Sequence, residues 1–346
     1  MPERYLPLVV PDALLGLKEA ATELGIDIAP ELKEIGIAPE LLDGPSGFLA
    51  MESVINLLNT VATKYRCPHL GLLIGRHRPR TRFGILSQMI KVCPDVGTAL
   101  RKGHAHVKTI SENTHWELTV ESEFATIIRT DRQSINADMT QLHILSITQY
   151  FELLVALLGE NWRPAAVYFV HKAPQDTSQY KKTFQAPVYF EQTFDGFIFP
   201  AKDLRTAIPT YDPVLLALIE RHIETLEEKM GDEDICSKTR RIIRQTIGTS
   251  ACTQVGIAQY LGLHTKTLQR MLKASNGNFK QLLLDERKNL AEHYLSESDI
   301  SLLQISSILG YNSASAFSRS FTQQHGLPPK KWRETQQHGD TISVTR

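Results

Sequence analysis

The sequence predicts two domains of different class. The first is α+β, with helices around a small antiparallel sheet, and the second is all-α, with two helix-turn-helix units joined by a linker helix. Three observations lead there. The hydrophobic period changes from helical to alternating near Trp116 and returns to helical near Ile135. Helix and strand patterns are segregated along the chain, which favours α+β over a doubly wound sheet. Beyond Ile235 no segment alternates as a strand does, and a short helix, a glycine turn and a second helix occur there twice.

The length of 346 residues suits about two domains. With 42% hydrophobic and 22% charged residues the composition is globular, which excludes a disordered or fibrous chain. No apolar run approaches the ~18 residues needed to cross a bilayer. Met1–Tyr5 does not begin a signal peptide, so a cytoplasmic protein with no membrane partner is expected. Four cysteines, Cys67, Cys93, Cys236 and Cys252, are too scattered for a zinc site or a disulfide framework and read as reduced thiols. The charge count is 38 Lys+Arg against 38 Asp+Glu, but the halves differ. From Ile235 onward there are 15 basic and 7 acidic residues, and before it 23 basic and 31 acidic. A basic module beside an acidic domain is a hint of nucleic-acid binding. The acidic run Glu227–Asp234 marks the expected boundary, giving domains 1–234 and 235–346.

In the first domain, Asp12–Leu24 is helical in period and Gly25–Gly47 is turn-rich. Met51–Tyr65 places Met51, Val54, Ile55, Leu58, Val61 and Ala62 on one stripe. Phe83–Val92 and Val96–Ile110 continue as helices, separated at Cys93-Pro94 where the proline ends the first. Trp116–Val120 alternates and Phe124–Arg129 is β-branched and apolar, a hairpin signature. Ile135–Leu158 reads as a long helix, Ala166–Val170 as a third strand, and Val188–Phe190 and Gly196–Phe199 as further edge strands. Pro213–Lys229 is an amphipathic helix.

In the second domain the strongest signal is Asp299–Gly326. Ser301 and Gln304 form a capping box, with Ile300 and Ile305 at the staple positions around it. Gly310 supplies the left-handed residue that ends this helix, and Ser313 caps the next, which carries Phe317 and Phe321 on its buried face. Arg319 and Ser315 share another face. The earlier unit, about 253–274, has the same layout: Val255–Leu261, a turn at Gly262-Leu263, and His264–Ala274 with Leu268 and Leu272 buried. Between them Asn278 and Gln281 make a second capping box, opening a helix Phe279–Leu295 with Leu283, Leu290 and Tyr294 on one stripe. A helix of about 17 residues is about 25 Å long, enough to hold two units roughly one turn of DNA, ~34 Å, apart.

Residues 250–333 resemble the DNA-binding domain of the AraC/XylS family of bacterial transcription regulators. The resemblance rests on Ile257-Ala-Gln-Tyr-Leu-Gly-Leu-His-Thr-Lys-Thr-Leu-Gln-Arg-Met-Leu-Lys, on Ile305-Ser-Ser-Ile-Leu-Gly-Tyr-Asn-Ser-Ala-Ser-Ala-Phe-Ser-Arg-Ser-Phe, and on the closing Gly326-Leu-Pro-Pro-Lys-Lys-Trp-Arg. Upstream, His69-Leu-Gly-Leu-Leu-Ile-Gly, Phe83-Gly-Ile-Leu, Cys93-Pro-Asp-Val-Gly-Thr-Ala-Leu-Arg and Asn161-Trp-Arg-Pro through Ala186-Pro-Val-Tyr-Phe are similar to the arabinose-binding-like N-terminal domain of ornithine-utilisation, quorum-sensing and virulence regulators. By position, the resemblance implies DNA contacts from Lys266, Gln269 and Arg270 in the first unit, and from Asn312, Ser313, Ser315 and Arg319 in the second. It also implies a bipartite major-groove site on double-stranded DNA, a small-molecule effector at the N-terminal domain, a homodimer, contact with RNA polymerase, and a place at the nucleoid. Four residues depart from the family pattern. His264 stands where serine is usual, so the first recognition helix lacks its standard cap, with Thr265 a substitute at a slipped start. Ala314 and Ala316 replace larger polar residues, and fewer base contacts are expected there. Gly256 lies inside a helix, costing up to about 1 kcal/mol against alanine.

Arg can engage guanine O6 and N7 together and Gln can pair with adenine, while serine and asparagine near a helix start suit phosphate. Lys330, Lys331 and Arg333 are further phosphate candidates. His104, His106 and His115 lack the spacing of a metal set, Cys93 reads as a buried structural thiol, and no cofactor is expected. No glycine-rich phosphate loop, nucleophile elbow or paired catalytic acids occur, so no enzyme is expected. The competing readings are a protein-interaction module with degenerate DNA binding and a small-molecule enzyme with a helical tail.

Overall fold

The computed structural model describes residues 7–34, 49–79, 84–230, 234–298 and 300–339. They fall into two compact units, Met1–Gly231 and Asp232–Arg346. In the first, strand β1 (Leu8–Val9) leads into a 3-10 turn over Pro11–Leu14 and then helix α1 (Leu17–Leu24). The single helix predicted over Asp12–Leu24 is therefore interrupted, at Gly16, whose φ of 96° no helix passes through. Helix α2 (Ala29–Glu34) occupies part of the stretch Gly25–Gly47, predicted to hold only turns. Residues 35–47 of that stretch lie outside the described residues, as do Phe83, Asp299 and residues 231–233 of the acidic run before Asp234. Strand β2 (Leu49–Ala50) pairs antiparallel with β1. The helices α3 (Met51–Lys64), α4 (Leu70–His77), α5 (Gly84–Lys91) and α6 (Val96–Ala105) follow, with the Asp95 side chain accepting the Thr98 amide at 2.7 Å to cap α6. The helix predicted to reach Ile110 ends earlier, in a 3-10 turn over Val107–Thr109.

The hairpin forms where the period changed: β3 (Thr114–Glu121) and β4 (Phe124–Asp131) pair antiparallel through the turn at Ser122-Glu123. Helix α7 (Thr140–Leu158) starts later than the Ile135 predicted for it. It is followed by β5 (Ala166–Tyr168), α8 (Ser178–Phe184), β6 (Val188–Tyr189), β7 (Asp195–Pro200) and α9 (Pro213–Met230). The sheet order is β3-β4-β7-β5-β6. Two expectations change here. Strand β7 is central rather than an edge, lying antiparallel between β4 and β5, and β5 pairs with β6 in parallel. Phe197 and Phe199 of β7 are fully buried accordingly.

Helix α7 is the spine of this unit. It is, against the sequence reading, long and apolar enough to cross a membrane, yet 67% of the span is buried inside the unit. Its polar side chains find protein partners: Gln141 Nε2 donates to the Pro68 carbonyl at 2.9 Å and Gln149 Nε2 to that of Ala13 at 3.0 Å. His143 joins it to the sheet, with Nδ1 2.8 Å from Asp195 Oδ2 and Nε2 3.0 Å from Asp131 Oδ2. Burial opposes charge on this imidazole, but its bonds to Asp131 and Asp195 outweigh burial and raise its pKa. Burial likewise opposes ionisation of Asp131, which His143 and Arg129 nonetheless hold down to about 2. Cys93 is fully buried with its thiol pushed up to about 11 by burial, the state of an inert structural thiol.

The second unit is helical throughout its described residues: α10 (Ile235–Thr246), α11 (Gln254–Tyr260), α12 (Thr265–Ala274), α13 (Phe279–Glu297), α14 (Leu302–Ile308), α15 (Ala314–His325) and α16 (Pro329–Gly339). Buried Ile257, Leu268 and Leu272 hold the first helix pair. The second closes over Ala291, Leu295, Ile305, Leu309, Phe317 and Phe321, with Ile300 and Trp332 packed on the edge. The fully buried stripe of α13 is Leu282, Ala291 and Leu295 with Glu286, and the predicted Leu283, Leu290 and Tyr294 are only half-buried.

Candidate nucleic-acid interface

Each helix-turn-helix unit is built by local hydrogen bonds that the sequence largely dictates. In the second unit the Ser301 hydroxyl accepts the Gln304 amide at 3.2 Å and Gln304 Oε1 accepts the Ser301 amide at 2.9 Å, a reciprocal capping box. Ser313 Oγ accepts the Ala316 amide at 3.1 Å and so starts α15. In the first unit Thr253 Oγ1 caps α11 by accepting the Gly256 amide at 3.0 Å.

Three expectations about this region are corrected. His264 caps α12 itself, its Nδ1 accepting the Lys266 amide at 3.3 Å, so no slipped start at Thr265 is needed. Gly256 is required rather than merely costly, because a Cβ there would sit 2.1 Å from the Ala251 carbonyl oxygen. Asn278 Oδ1 does accept the Gln281 amide at 2.9 Å, but the Gln281 side chain turns forward to donate to Asp285 Oδ1 at 2.8 Å, leaving half a capping box.

Lys266, Gln269 and Arg270 are all exposed on α12. Asn312 and Ser313 at the start of α15, and Ser315 and Arg319 along it, are exposed as well. Gln269 Nε2 donates to Gln254 Oε1 at 3.2 Å, a contact across α11 and α12 that no spacing rule announces. Its second N–H and its carbonyl oxygen remain for a base edge, the pair of groups that adenine N7 and N6 match. Of the other basic candidates, Lys330 and Lys331 are exposed, but Arg333 donates from Nη2 to the Ile300 carbonyl at 2.8 Å, which ties α16 to the start of α14.

Helix α13 joins α10, which packs on the first unit, to the second unit through adjacent residues of opposite charge. Glu286, 1% exposed, accepts from Arg244 Nε at 2.5 Å and Nη2 at 3.1 Å, fastening α10. Arg287 donates to the Leu309 carbonyl at 2.9 Å and the Gly310 carbonyl at 2.8 Å and lies over the Tyr311 ring, fastening the turn of the second unit. Sequence reasoning missed both roles, since the partners lie far along the chain. At about 1.5 Å per residue, the 19 residues of α13 span roughly 28 Å.

Two helix-turn-helix units on one helical body, each with an exposed polar face on its second helix, define the class: a helix-turn-helix DNA-binding protein with a separate domain of helices and a small mixed sheet. Residues 25–208 match the arabinose-binding domain of AraC transcription regulators, N-terminal, and residues 257–335 match the helix-turn-helix domain family. The chain belongs to the AraC family of DNA-binding transcription regulators, in the group with an arabinose-binding-type N-terminal domain. Its relatives include the ornithine utilization regulator of Pseudomonas aeruginosa, 24% identical over 95% of this chain and 96% of that protein. The regulator VirS of Mycobacterium tuberculosis is 25% identical over 92% of this chain and 94% of its own. VqsM of Pseudomonas aeruginosa is 25% identical over 81% and 88%.

Proposed function

We propose that this regulator reads a bipartite site on double-stranded DNA. Lys266, Gln269 and Arg270 from α12 would enter one stretch of major groove, and Asn312, Ser313, Ser315 and Arg319 from α15 the next. The observation that carries the reading is the double fastening of α13, through Glu286 to α10 and through Arg287 to the turn before α15. With α10 packed against α11 and α12, that arrangement supports reading the two recognition helices as one rigid body. Arg270 and Arg319 supply the base contacts with Gln269, and the shorter Asn312, Ser313 and Ser315 hold phosphate. Domain 1–234 senses a small-molecule effector and carries a homodimer contact, and domain 235–346 binds DNA. An effector acts by binding one conformational state better than another. In this reading the chain works in the cytoplasm on the nucleoid, contacts RNA polymerase when bound, and catalyses no reaction of its own. The binding sequence is obtained by selection from random duplexes, and affinities are then measured by fluorescence anisotropy. Arg270→Ala is expected to cost about 1–3 kcal/mol and to relax preference at one base pair. Selection that enriched no sequence would favour the degenerate protein-interaction reading instead.

A further inference from the structure

The first unit contains a pocket of about 110 Å³, partly open to solvent, between β1, α5, α6, β3 and α7. Its walls are mainly aliphatic, with one aromatic face where the Trp116 and Tyr150 rings lie 4.4 Å apart and His104 stacks beyond Trp116. An apolar cavity of about 150 Å³ in another protein holds benzene, so the space here, which is partly open, suits one ring with a small substituent or a branched chain.

The polar atoms of the lining are mostly engaged with the protein. Ser111 and Thr114 bond each other at 2.8 Å, Ser146 donates to the Leu142 carbonyl, and Gln149 donates to the Ala13 carbonyl. Arg78, 5% exposed, has a protein interaction of its own. His104 Nε2 and Tyr150 Oη likewise bond each other, 2.5 Å apart, and they alone of these pairs sit at the end of the aromatic face. Burial holds the imidazole neutral down to about pH 4 and keeps the phenol protonated. A phenol oxygen engaged once still has hydrogen-bonding capacity for a ligand.

From this cavity we infer that the effector is a compact, uncharged and largely apolar molecule, a single ring or branched chain carrying one hydroxyl or carbonyl group that bonds the Tyr150–His104 pair. This deepens, and rests on, the reading of the first domain as the effector sensor. It also separates this protein from what the family's domain name describes. A pentose, with a hydroxyl on nearly every carbon, would bury more polar groups against this mainly aliphatic lining than its few engaged polar side chains can meet, and an amino acid would bury charges as well. Both are costly. The aromatic wall and the neutral pair instead match a group such as a benzylic alcohol.

The test measures melting temperature and tryptophan fluorescence of the full chain with benzyl alcohol, benzoate, L-arabinose and L-ornithine, each at saturating concentration. Benzyl alcohol is expected to raise the melting temperature by about 3 °C or more and to change the emission of Trp116. The other three are expected to leave both unchanged. Tyr150→Phe keeps the ring and is expected to weaken benzyl alcohol binding about tenfold. Ala99→Leu, which fills the cavity, is expected to abolish it. Should Ala99→Leu fail to fold, Tyr150→Phe decides alone. Benzoate binding more tightly than benzyl alcohol would overturn the uncharged assignment. Binding of arabinose or ornithine in place of the alcohol would overturn the chemistry while leaving effector sensing intact. Binding of none of the four would also overturn it. Effector sensing itself would fall separately, if a total small-molecule extract of bacterial cells left the chain's affinity for its selected DNA unaltered.

Discussion

Gly248 and Gly310 meet at the junction of the two helix-turn-helix units. A Cβ on Gly310 would lie 3.2 Å from the Gly248 Cα, and a Cβ on Gly248 would lie 2.4 Å from the Ile308 carbonyl oxygen. Both residues have positive φ, 84° and 68°. The loop after α10 and the end of α14 thus touch backbone to backbone, a third link beside those of Glu286 and Arg287. Gly248→Ala is expected to destabilise the second unit by about 1–3 kcal/mol, from strain and crowding together. It is also expected to weaken binding to the whole site more than binding to one half-site. Urea unfolding and anisotropy on both duplexes measure this, and equal losses on the two duplexes would count against a junction role.

Glu286 is the buried acid on which α10 and α13 converge, with Arg240 Nη1 also 3.6 Å from it. Removing one partner of such a pair leaves the other unpaired. Arg244 is 60% exposed, so its loss of a partner is softened by water. Glu286→Gln is therefore expected to cost about 1–3 kcal/mol, and hydrogen exchange should speed up in α10 and α13 before α15. Unchanged exchange in α10 would remove Glu286 from the linkage.

Gln254 holds Gln269 by the bond across α11 and α12. Gln254→Ala is expected to broaden base preference at the position read by Gln269 while leaving the salt dependence of binding unchanged, since no phosphate contact is lost. A shallower salt slope in the variant would show that Gln254 meets the backbone instead.

Two histidines of the first unit should give opposite pH signatures. His104 has its pKa lowered by burial to about 4. The unfolded chain binds a proton that the folded one refuses between about pH 6.5 and 4, so stability falls as pH falls through that window. His143 has its pKa raised by Asp131 and Asp195. Its contribution is fully present below about pH 6.5 and is lost as pH rises through the folded value. His104→Phe is expected to flatten the acid-side loss, and His143→Gln to destabilise the unit more at pH 6 than at pH 8. Thermal unfolding across pH 4–8 checks both, and parallel curves for His143→Gln and the parent chain would refute the second.

What was legible in the sequence is what neighbouring residues decide. Ser301, Gln304 and Ser313 act within three residues of themselves, and the hairpin at Ser122 closes on its own strands, so caps, turn and period were readable. The position of β7 was not, because Ile127 and Phe197 pair across seventy residues of intervening chain. The role of Glu286 was not legible either, because its partner Arg244 lies 42 residues upstream. Gly256 looked like a defect because the carbonyl of Ala251 that demands it belongs to a loop no periodicity describes. At the interface, the exposure of Lys266, Gln269, Arg270, Ser315 and Arg319 followed from helical period, while Asn312 and Ser313, ahead of α15, came only from the family resemblance. The Gln254–Gln269 contact did not.

The central claim is that α12 and α15 read DNA as one rigid body. It is tested most directly by inserting about five base pairs, half a helical turn, between the two half-sites of the selected sequence. Binding measured by anisotropy is expected to fall to near the level of a single half-site. About ten inserted base pairs, which restore the face but exceed the reach set by α13, are expected to recover little of it. Full affinity retained on either insertion would contradict the claim.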